Sequence, residues 1–330
     1  MSFSLLGIGS PLLDIQLKVD DAFLIRHVPG SKGGMEPVTK EEIREMISKA
    51  PGSPVFSPGG AAGNTVFALS AFGVEAALFG KLGIDSFAEK YLSFADNCGV
   101  DTSQIIRQEN GDTGCCLAMI TDDAERTMRS SLGVSLDLSC REIENAAFDD
   151  YDAVLVEGFM VFSGKLEKMI SEAHSRGCFV ILDLASFEIA SGYRELFLSV
   201  SDKVSMVVAN EAEAAAFTGK DEPEQSLKEL RKIFPAAVVK CGSKGVWFSD
   251  KEECFFTPAV PACAVDTTAA GDIWLAGFIY ARNCGANNAV AVRCGTLFAS
   301  KIIAHTGSVL NSDDIKSLKE LTNFKTDLEN

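Results

Sequence analysis

The stretch Asp266-Thr267-Thr268-Ala269-Ala270-Gly271-Asp272 runs directly into the apolar segment Ile273-Trp274-Leu275-Ala276-Gly277-Phe278-Ile279-Tyr280. The apolar segment predicts a buried helix, and the small residues before it predict a turn whose backbone N–H groups are open to a ligand. Such N–H groups at a helix N-terminus bind anions, because the positive end of the helix dipole lies there. The sequence therefore predicts an anion site at the start of this helix.

A carboxylate, that of Asp272, lies inside the predicted anion site. A negative side chain weakens the binding of an anion, so binding alone does not explain this residue. Its presence is explained if Asp272 takes a proton from a group that is about to attack a phosphate. The segment therefore predicts phosphoryl transfer, with an anion hole and a base side by side.

The composition disfavours several classes of partner. The chain has 330 residues, of which 47% are hydrophobic, and this is enough for one large domain or two smaller ones. The formal net charge of -16 disfavours nucleic acids and anionic membranes, since both require a basic surface. A local basic pocket for phosphate is compatible with this charge.

The cysteines and the first residues bear on metals and location. The ten cysteines form no C-x-x-C pair and do not cluster with the three histidines, so zinc is not expected. Residues 1–14 lack the features of a signal peptide, and no apolar run has the length that spans a membrane. We therefore expect a cytoplasmic protein with reduced thiols.

Strand-like and helix-like segments alternate through the second half of the chain. Strands are predicted at 153–156, 179–182, 204–209 and 236–240, and helices at 165–176, 211–217 and 224–233. This alternation predicts an α/β fold with a mostly parallel central sheet and helices on both faces. Strands near 15–19 and 114–130 do not fit the alternation, and they predict either a small separate sheet or an edge extension of the main one. No linker divides the chain, so a single domain over 1–330 is expected.

Polar side chains follow four of the predicted strands at their C-terminal ends: Asp14, Glu157, Asp183 and Asn210. Ligands of open parallel sheets bind at the carboxyl ends of the strands, so these four side chains would converge on one crevice. Each of them alone is more often a turn residue or a helix cap. Their joint placement favours a ligand site.

Two glycine-rich segments each allow two interpretations. Gly59-Gly60-Ala61-Ala62-Gly63-Asn64 leads into a predicted helix, where it either lets a ligand approach the backbone or forms a turn capped by Asn64. Gly242-Ser243-Lys244-Gly245 lies between predicted strands, where it either admits a nucleotide or forms a hairpin. Gly7-x-Gly9 lacks the third glycine of a dinucleotide fingerprint, and the chain contains no P-loop motif.

Asn210-Glu211-Ala212-Glu213 begins another predicted helix. Asn210 fits as the N-cap and Glu213 as the third helical residue, which together form a capping box. The functional alternative is that Glu213 orders Mg²⁺ and its waters near phosphates.

Together these motifs resemble the ribokinase-like, or PfkB, family of sugar and nucleoside kinases. The resemblance extends over roughly residues 3–310, and its most specific element is the segment 266–272. It implies a three-layer α/β sandwich with a small β-sheet lid over the substrate. In this chain the lid would be formed from about 15–40 and 112–131.

The resemblance also implies roles for the site residues. Asp272 would be the catalytic base, beside an anion hole formed by the backbone amides of Ala269, Ala270 and Gly271. The substrate hydroxyls would be bound by Asp14, Gly60, Asn64 and Glu157. ATP would be bound by Asn210, Glu213, Gly242, Gly245 and Arg126. Glu213 would hold Mg²⁺ through water, and Asp266 and Thr268 would hold a monovalent cation such as K⁺.

Within the family, the segments 7–15 and 19–24 and the hairpin residue Arg126 are most similar to the adenosine kinase subgroup. The implied activity is ATP-dependent phosphorylation of a nucleoside or sugar hydroxyl, with the conversion of adenosine to AMP as the first candidate. The alternatives are a free-sugar kinase of the ribose or fructose type and a non-catalytic nucleoside or sugar sensor. The implied partner is a small molecule, and the protein would be a monomer or a homodimer. Ala269 stands where family members often carry glycine.

Overall fold

The computed structural model describes residues 3–123 and 125–322, and within them nine strands form a large sheet and five form a small one. The strands are β1 (Leu5–Ile8), β2 (Leu12–Lys18), β3 (Gly34–Pro37), β4 (Val55–Gly59), β5 (Ala76–Gly83), β6 (Ile105–Gln108), β7 (Thr113–Ile120), β8 (Arg126–Gly133), β9 (Ala153–Glu157), β10 (Phe179–Asp183), β11 (Met206–Asn210), β12 (Ala237–Lys240), β13 (Gly245–Ser249) and β14 (Cys254–Pro258).

The α-helices connect these strands and cover both sheets. They are α1 (Asp21–His27), α2 (Lys40–Lys49), α3 (Ala61–Ala71), α4 (Ser86–Cys98), α5 (Cys140–Glu144), α6 (Leu166–Ser175), α7 (Phe187–Gly192), α8 (Arg194–Ser199), α9 (Glu211–Thr218), α10 (Pro223–Ile233), α11 (Ala270–Asn283), α12 (Asn288–Ile302) and α13 (Ser312–Leu321). Among the residues described, no helix has the length and apolarity to cross a membrane.

The large sheet has the strand order β14-β13-β12-β11-β10-β9-β1-β5-β6. Its strands from β12 to β6 pair in parallel, and β13 and β14 complete one edge as antiparallel strands. The prediction of a mostly parallel sheet is therefore confirmed. The strands β9, β10, β11 and β12 are parallel neighbours, so their last residues lie side by side at the carboxyl ends of the strands.

Successive strand residues point to opposite faces of the large sheet and build two separate cores. In β1, Leu5 packs with α3, α4, α11, α12 and α13, whereas Leu6 packs with the helices from α5 to α10. Both faces are therefore covered by helices. The predicted three-layer α/β sandwich is confirmed.

The small sheet has the order β3-β8-β7-β2-β4. The predicted strands near 15–19 and 114–130 thus belong to a separate sheet, and an extension of the main sheet is wrong. Leu13 and Ile15 point into a third core with α1 and α2, so Asp14, between them, points to the opposite face. The expected lid role of this sheet stays a prediction. Residues 1, 2, 124 and 323–330 of the predicted domain and lid lie outside the described residues.

Asp14 does not lie just past the first strand, as the sequence analysis expected, but inside β2 of the small sheet. Pro11 separates β1 from β2, and proline cannot donate the backbone hydrogen bond that a continued strand requires. The chain therefore leaves the large sheet at this point, and Asp14 reaches the site from the small sheet instead.

Candidate active site

The start of α11 forms a turn where the sequence predicts an anion site, and its role toward an anion stays a prediction. Ala269 has a left-handed backbone with φ of 57°, and the helix begins at the next residue. The Ala270 N–H donates to the Thr267 carbonyl at 3.3 Å. A Cβ atom at Gly271 would lie 2.7 Å from Lys240 Nζ, so the ammonium group lies where a side chain at position 271 would begin. The turn thus places backbone amides and a lysine side by side.

Asp272 lies in the first turn of α11 and is held by α3. Its Oδ2 accepts a hydrogen bond from Asn64 Nδ2 at 2.8 Å, and its backbone carbonyl accepts one from Thr65 Oγ1 at 3.1 Å. Burial raises the pKa of Asp272 to about 8, and the charge of Asp183 adds to this, while Asn64 and Lys240 act against it. A carboxyl group with such a pKa can accept and release a proton near neutral pH, as a general base must.

Asn64 has one amide atom left for a ligand. Its Oδ1 is buried and has no hydrogen-bond partner within the described part of the chain. Asn64 is the fourth residue of α3, whose N-cap is Gly60, so the interpretation of Asn64 as an N-cap is wrong. Gly60 has φ of 93°, and a Cβ atom there would collide with the Ser10 carbonyl oxygen. This close approach of two chain segments is what requires glycine at position 60.

Asp14 approaches the same region from the small sheet. It pairs with Ser57 of β4 and Cys116 of β7, and a Cβ atom at Gly59 would lie 2.5 Å from its carboxyl group. Burial raises the pKa of Asp14 to about 7, although the charge of Arg126 acts in the opposite direction. The glycine at position 59 therefore makes room for a carboxyl group beside the start of α3.

Glu157, the last residue of β9, is bound by backbone amides. Its Oε1 accepts from the Ser10 N–H at 2.6 Å, and its Oε2 accepts from the Ala62 N–H at 3.0 Å. Only 1% of the residue is exposed. Burial raises the pKa of Glu157 to about 7, even though the hydrogen bonds from the two backbone amides lower this pKa. Both oxygens thus fix the backbone around Gly60, and a direct role in substrate binding stays a prediction.

Asn210 and Glu213 form a capping box at the start of α9. The Glu213 N–H donates to Asn210 Oδ1 at 2.9 Å, and the Asn210 N–H donates to Glu213 Oε2 at 2.7 Å. Asn210 Nδ2 also donates to Glu213 Oε1 at 2.6 Å. The capping interpretation is therefore confirmed, and the roles of both residues toward ATP and Mg²⁺ stay predictions.

Gly242 and Gly245 belong to the tight hairpin between β12 and β13. The Cys241 N–H donates to the Gly245 carbonyl at 2.7 Å, which confirms the hairpin interpretation. Gly245 has φ of 140°, and a Cβ atom there would collide with the Thr257 carbonyl. Gly242 has φ of 53°, and a Cβ atom there would meet no atom within 4 Å. The open space at Gly242 leaves room for a ligand, and the role toward ATP stays a prediction.

Arg126 connects the small sheet to the segment that leads into α11. Its Nη1 donates to Asp266 Oδ1 at 2.9 Å and to the Thr268 hydroxyl, and its Nη2 donates to Asp266 Oδ2 at 3.3 Å. The carboxylate of Asp266 also accepts the Thr268 N–H at 2.8 Å and the Gly307 N–H at 3.0 Å. These contacts lower the pKa of Asp266 despite its burial.

Comparison with known proteins identifies the family. Residues 35–315 match the profile of the pfkB family carbohydrate kinases. The chain belongs to the PfkB family. A ribokinase of Staphylococcus aureus is 26% identical over 262 residues, which are 76% of this chain and 83% of the relative. An uncharacterised sugar kinase of Archaeoglobus fulgidus is 27% identical over 244 residues, which are 73% of this chain and 96% of the relative.

Two solved structures of kinases have closely similar folds. A probable sugar kinase from Rhizobium etli has a TM-score of 0.85 at 25% identity, and the match covers 97% of this chain and 99% of that one. An adenosine kinase from Sinorhizobium meliloti also has a TM-score of 0.85 at 25% identity, with coverage of 97% and 100%. The chain is therefore a sugar or nucleoside kinase, a phosphotransferase with an alcohol group as acceptor.

The residues of the candidate site fit Mg²⁺ better than they fit a monovalent cation. Across the described ranges, no three His, Cys, Asp or Glu side chains are grouped to hold a metal by themselves. Mg²⁺ fits this arrangement, because it commonly keeps waters and takes phosphate oxygens as ligands. A monovalent cation at Asp266 and Thr268 does not fit, because the guanidinium of Arg126 already contacts both side chains.

Lys240, which the structure places next to Gly271, is not among the site residues predicted from the sequence. Lys240 is the last residue of β12, so it obeys the strand-end rule that selected Glu157 and Asp183. Its Nζ lies 3.4 Å from Asp183 Oδ2. A positive side chain at a strand end near a predicted phosphate site was the available signal.

Proposed function

We propose that the protein is an ATP-dependent kinase that phosphorylates a nucleoside hydroxyl, with adenosine, converted to AMP, as the first candidate. One observation carries this proposal. Asp272, a partly buried carboxyl group whose pKa is raised to about 8, lies in the first turn of α11 beside backbone amides suited to an anion. A proton acceptor and a phosphate site in such proximity are what phosphoryl transfer to a hydroxyl requires.

The proposed step needs few groups. The substrate hydroxyl gives its proton to the Asp272 carboxylate, and its oxygen attacks the γ-phosphorus of ATP. The bond between the γ-phosphorus and the bridging oxygen then breaks, and ADP leaves with the electron pair. The backbone amides of Ala269 and Gly271, together with that of Ala270, whose hydrogen bond to the Thr267 carbonyl is long at 3.3 Å, stabilise the charge on the transferring group. Bound Mg²⁺ would neutralise phosphate charge.

The substrate would lie between α3 and the small sheet. The unpartnered Oδ1 of Asn64 and the carboxyl group of Asp14 are both acceptors, as binding of sugar hydroxyls requires. The similarity to the adenosine kinase from Sinorhizobium meliloti supports a nucleoside. A free sugar of the ribose type is the second candidate, because curated relatives include a ribokinase.

The test is a coupled assay of ADP release with adenosine, other nucleosides, ribose and fructose. We expect turnover with at least one acceptor and a loss of about 10²–10⁴ in rate for Asp272→Asn, the range of general-base catalysis. Asp96→Asn, an exposed change on α4, is the matched control and should retain full activity. Tight nucleoside or sugar binding without ADP release would contradict the proposal and favour a sensor.

A further inference from the structure

Lys240 lies in a group of charged side chains at the carboxyl ends of the parallel strands of the large sheet. It ends β12, and its side chain is only 14% exposed. Its ammonium group is 3.4 Å from Asp183 Oδ2 and 2.7 Å from the position that a Cβ atom of Gly271 would take. The ammonium therefore lies directly beside the amides at the start of α11.

The ammonium is held only loosely. A charge-assisted N–H···O bond is usually about 2.7–2.9 Å long, and the contact with Asp183 exceeds this. Asp183 also has a second partner, because its Oδ1 accepts the Ala185 N–H at 2.8 Å. Burial lowers the pKa of Lys240, but the charges of Asp183 and Glu213 outweigh burial and raise it. The side chain is thus a cation that can change partner.

We propose that Lys240 is a catalytic residue that binds the γ-phosphate of ATP at the start of α11, exchanging Asp183 for the phosphate when ATP binds. This inference rests on the proposed kinase function. Lysine binds phosphate as a compact charge on a flexible stem, so a small rotation suffices for the exchange. Gly271 lets the ammonium lie this close to the turn, since a side chain there would push it away from its present position.

Lys240 acts on the charge of the transferring group without giving up its proton. As the bond to ADP breaks, negative charge is spread over the oxygens of the phosphoryl group. Once it has moved to the phosphate, this cation beside the backbone amides stabilises that charge more than the charge of free ATP. Loss of Lys240 should therefore lower kcat as well as the affinity for ATP.

The first measurement is nucleotide binding, which needs no turnover. Isothermal titration compares ADP with the β,γ-imido analogue of ATP, both with Mg²⁺, on wild type, Lys240→Met and Lys240→Arg. We expect Lys240→Met to lose about tenfold or more in affinity for the triphosphate analogue, the effect of one lost charge-assisted contact, while ADP binding changes little. Lys240→Arg should fall between. An equal loss for both nucleotides would overturn the proposal.

The second measurement is kcat in the ADP-release assay. We expect Lys240→Met to reduce kcat by about 10²–10³, as for a lost donor to a developing oxyanion. The double variant Lys240→Met/Asp183→Asn removes both charges of the pair, so it controls for folding. If Lys240 only neutralised Asp183, the double variant would regain wild-type kcat, and the proposal would be wrong.

The two proposals fail in different ways. Absence of ADP release by wild type with every acceptor would contradict the kinase function. Wild-type turnover that persists unchanged in Lys240→Met would contradict only the role of Lys240. Thermal unfolding of each variant confirms that the folded protein is being compared.

Discussion

The raised pKa of Asp272 predicts how the activity of the protein depends on pH. Its pKa is raised to about 8, mainly by burial, and only the carboxylate form can accept a proton. Below this pKa the base is protonated, so kcat/KM should rise with pH and level off above about 8. The pH dependence of kcat/KM reports the free enzyme, and it should be measured from weakly acidic to weakly alkaline solution.

Asn64 provides the control for this pH profile. Its side-chain amide donates to Asp272 Oδ2 and lowers the pKa of that carboxyl group. Asn64→Ala removes the donor, so the rise in kcat/KM should move to higher pH, in addition to any loss of substrate binding. A profile that is flat through neutral pH in wild type would contradict the assignment of Asp272 as the base.

Contiguous site residues could be predicted from the sequence, and distant contacts could not. The anion turn and Asp272 are consecutive, so their chemistry is visible in one stretch. The partners of Glu157 are the amides of Ser10 and Ala62, which are 147 and 95 residues away in the chain. Strand-end position indicated that Glu157 lies near the site, but only the fold reveals what its oxygens contact.

The helices α11 and α12 pack closely where Trp274 of α11 meets Gly295 of α12, and this packing predicts the effect of a substitution on stability. A Cβ atom at Gly295 of α12 would lie 2.7 Å from the Trp274 ring and from its carbonyl oxygen. Overpacking costs about 1–3 kcal/mol, and alanine in a helix regains at most about 1 kcal/mol. Gly295→Ala should therefore lower the free energy of unfolding, which denaturant titration can measure.

Gly192→Ala is the matched substitution for this test. Gly192 is the last residue of α7, and a Cβ atom there would meet nothing within 4 Å. The gain in helix propensity should then act alone and stabilise the protein by up to about 1 kcal/mol. If the Gly295→Ala variant were as stable as the Gly192→Ala variant, Trp274 would not pack tightly against α12.

The hairpin β7–β8 places the positive charge of Arg126 against Asp266, where the sequence predicted a monovalent cation. Arg126 at the start of β8 makes two hydrogen bonds to the Asp266 carboxylate and one to the Thr268 hydroxyl. Wild-type activity should therefore be the same in potassium and tetramethylammonium chloride at equal ionic strength, because Asp266 is already neutralised. Strong activation by K⁺ would mean that Arg126 leaves this position during turnover.

The layers of the whole molecule could be predicted from local patterns, but the pairing of the small sheet could not. Alternating buried strands and helices from residue 153 onward indicated the three-layer sandwich, because each element displays its own periodicity. In the small sheet, β2 pairs in parallel with β7, so that Asp14 lies opposite Cys116. Such a pairing joins segments far apart in the chain, and no local pattern specifies it.

Three carboxyl groups of the candidate site, one fully buried (Glu157) and two partly buried (Asp14 and Asp272), make the stability of the whole molecule depend on pH. The pKa values of Asp14 and Glu157 are raised to about 7 and that of Asp272 to about 8, in each case mainly by burial. In the unfolded chain such groups lose their protons near pH 4. Between these values the folded protein binds more protons than the unfolded chain, so the free energy of unfolding falls as pH rises.

The Asp272→Asn variant should be more stable than wild type at pH 8, although we expect it to lose most of its activity. Asparagine keeps an oxygen that can accept the Asn64 hydrogen bond, but it carries no charge to be buried. The expected gain is about 1–3 kcal/mol, the cost of burying a polar group that is incompletely compensated. Near pH 5 the gain should be clearly smaller, because Asp272 is then protonated in the folded protein, and it should vanish only below about pH 4, where the unfolded chain is protonated as well. Thermal unfolding at both pH values measures the difference, with the exposed change Asp96→Asn as control. An equal stability difference between variant and wild type at the two pH values would mean that burial does not destabilise the ionised carboxylate of Asp272. Its assignment as a base that titrates near neutral pH would then lose its physical support.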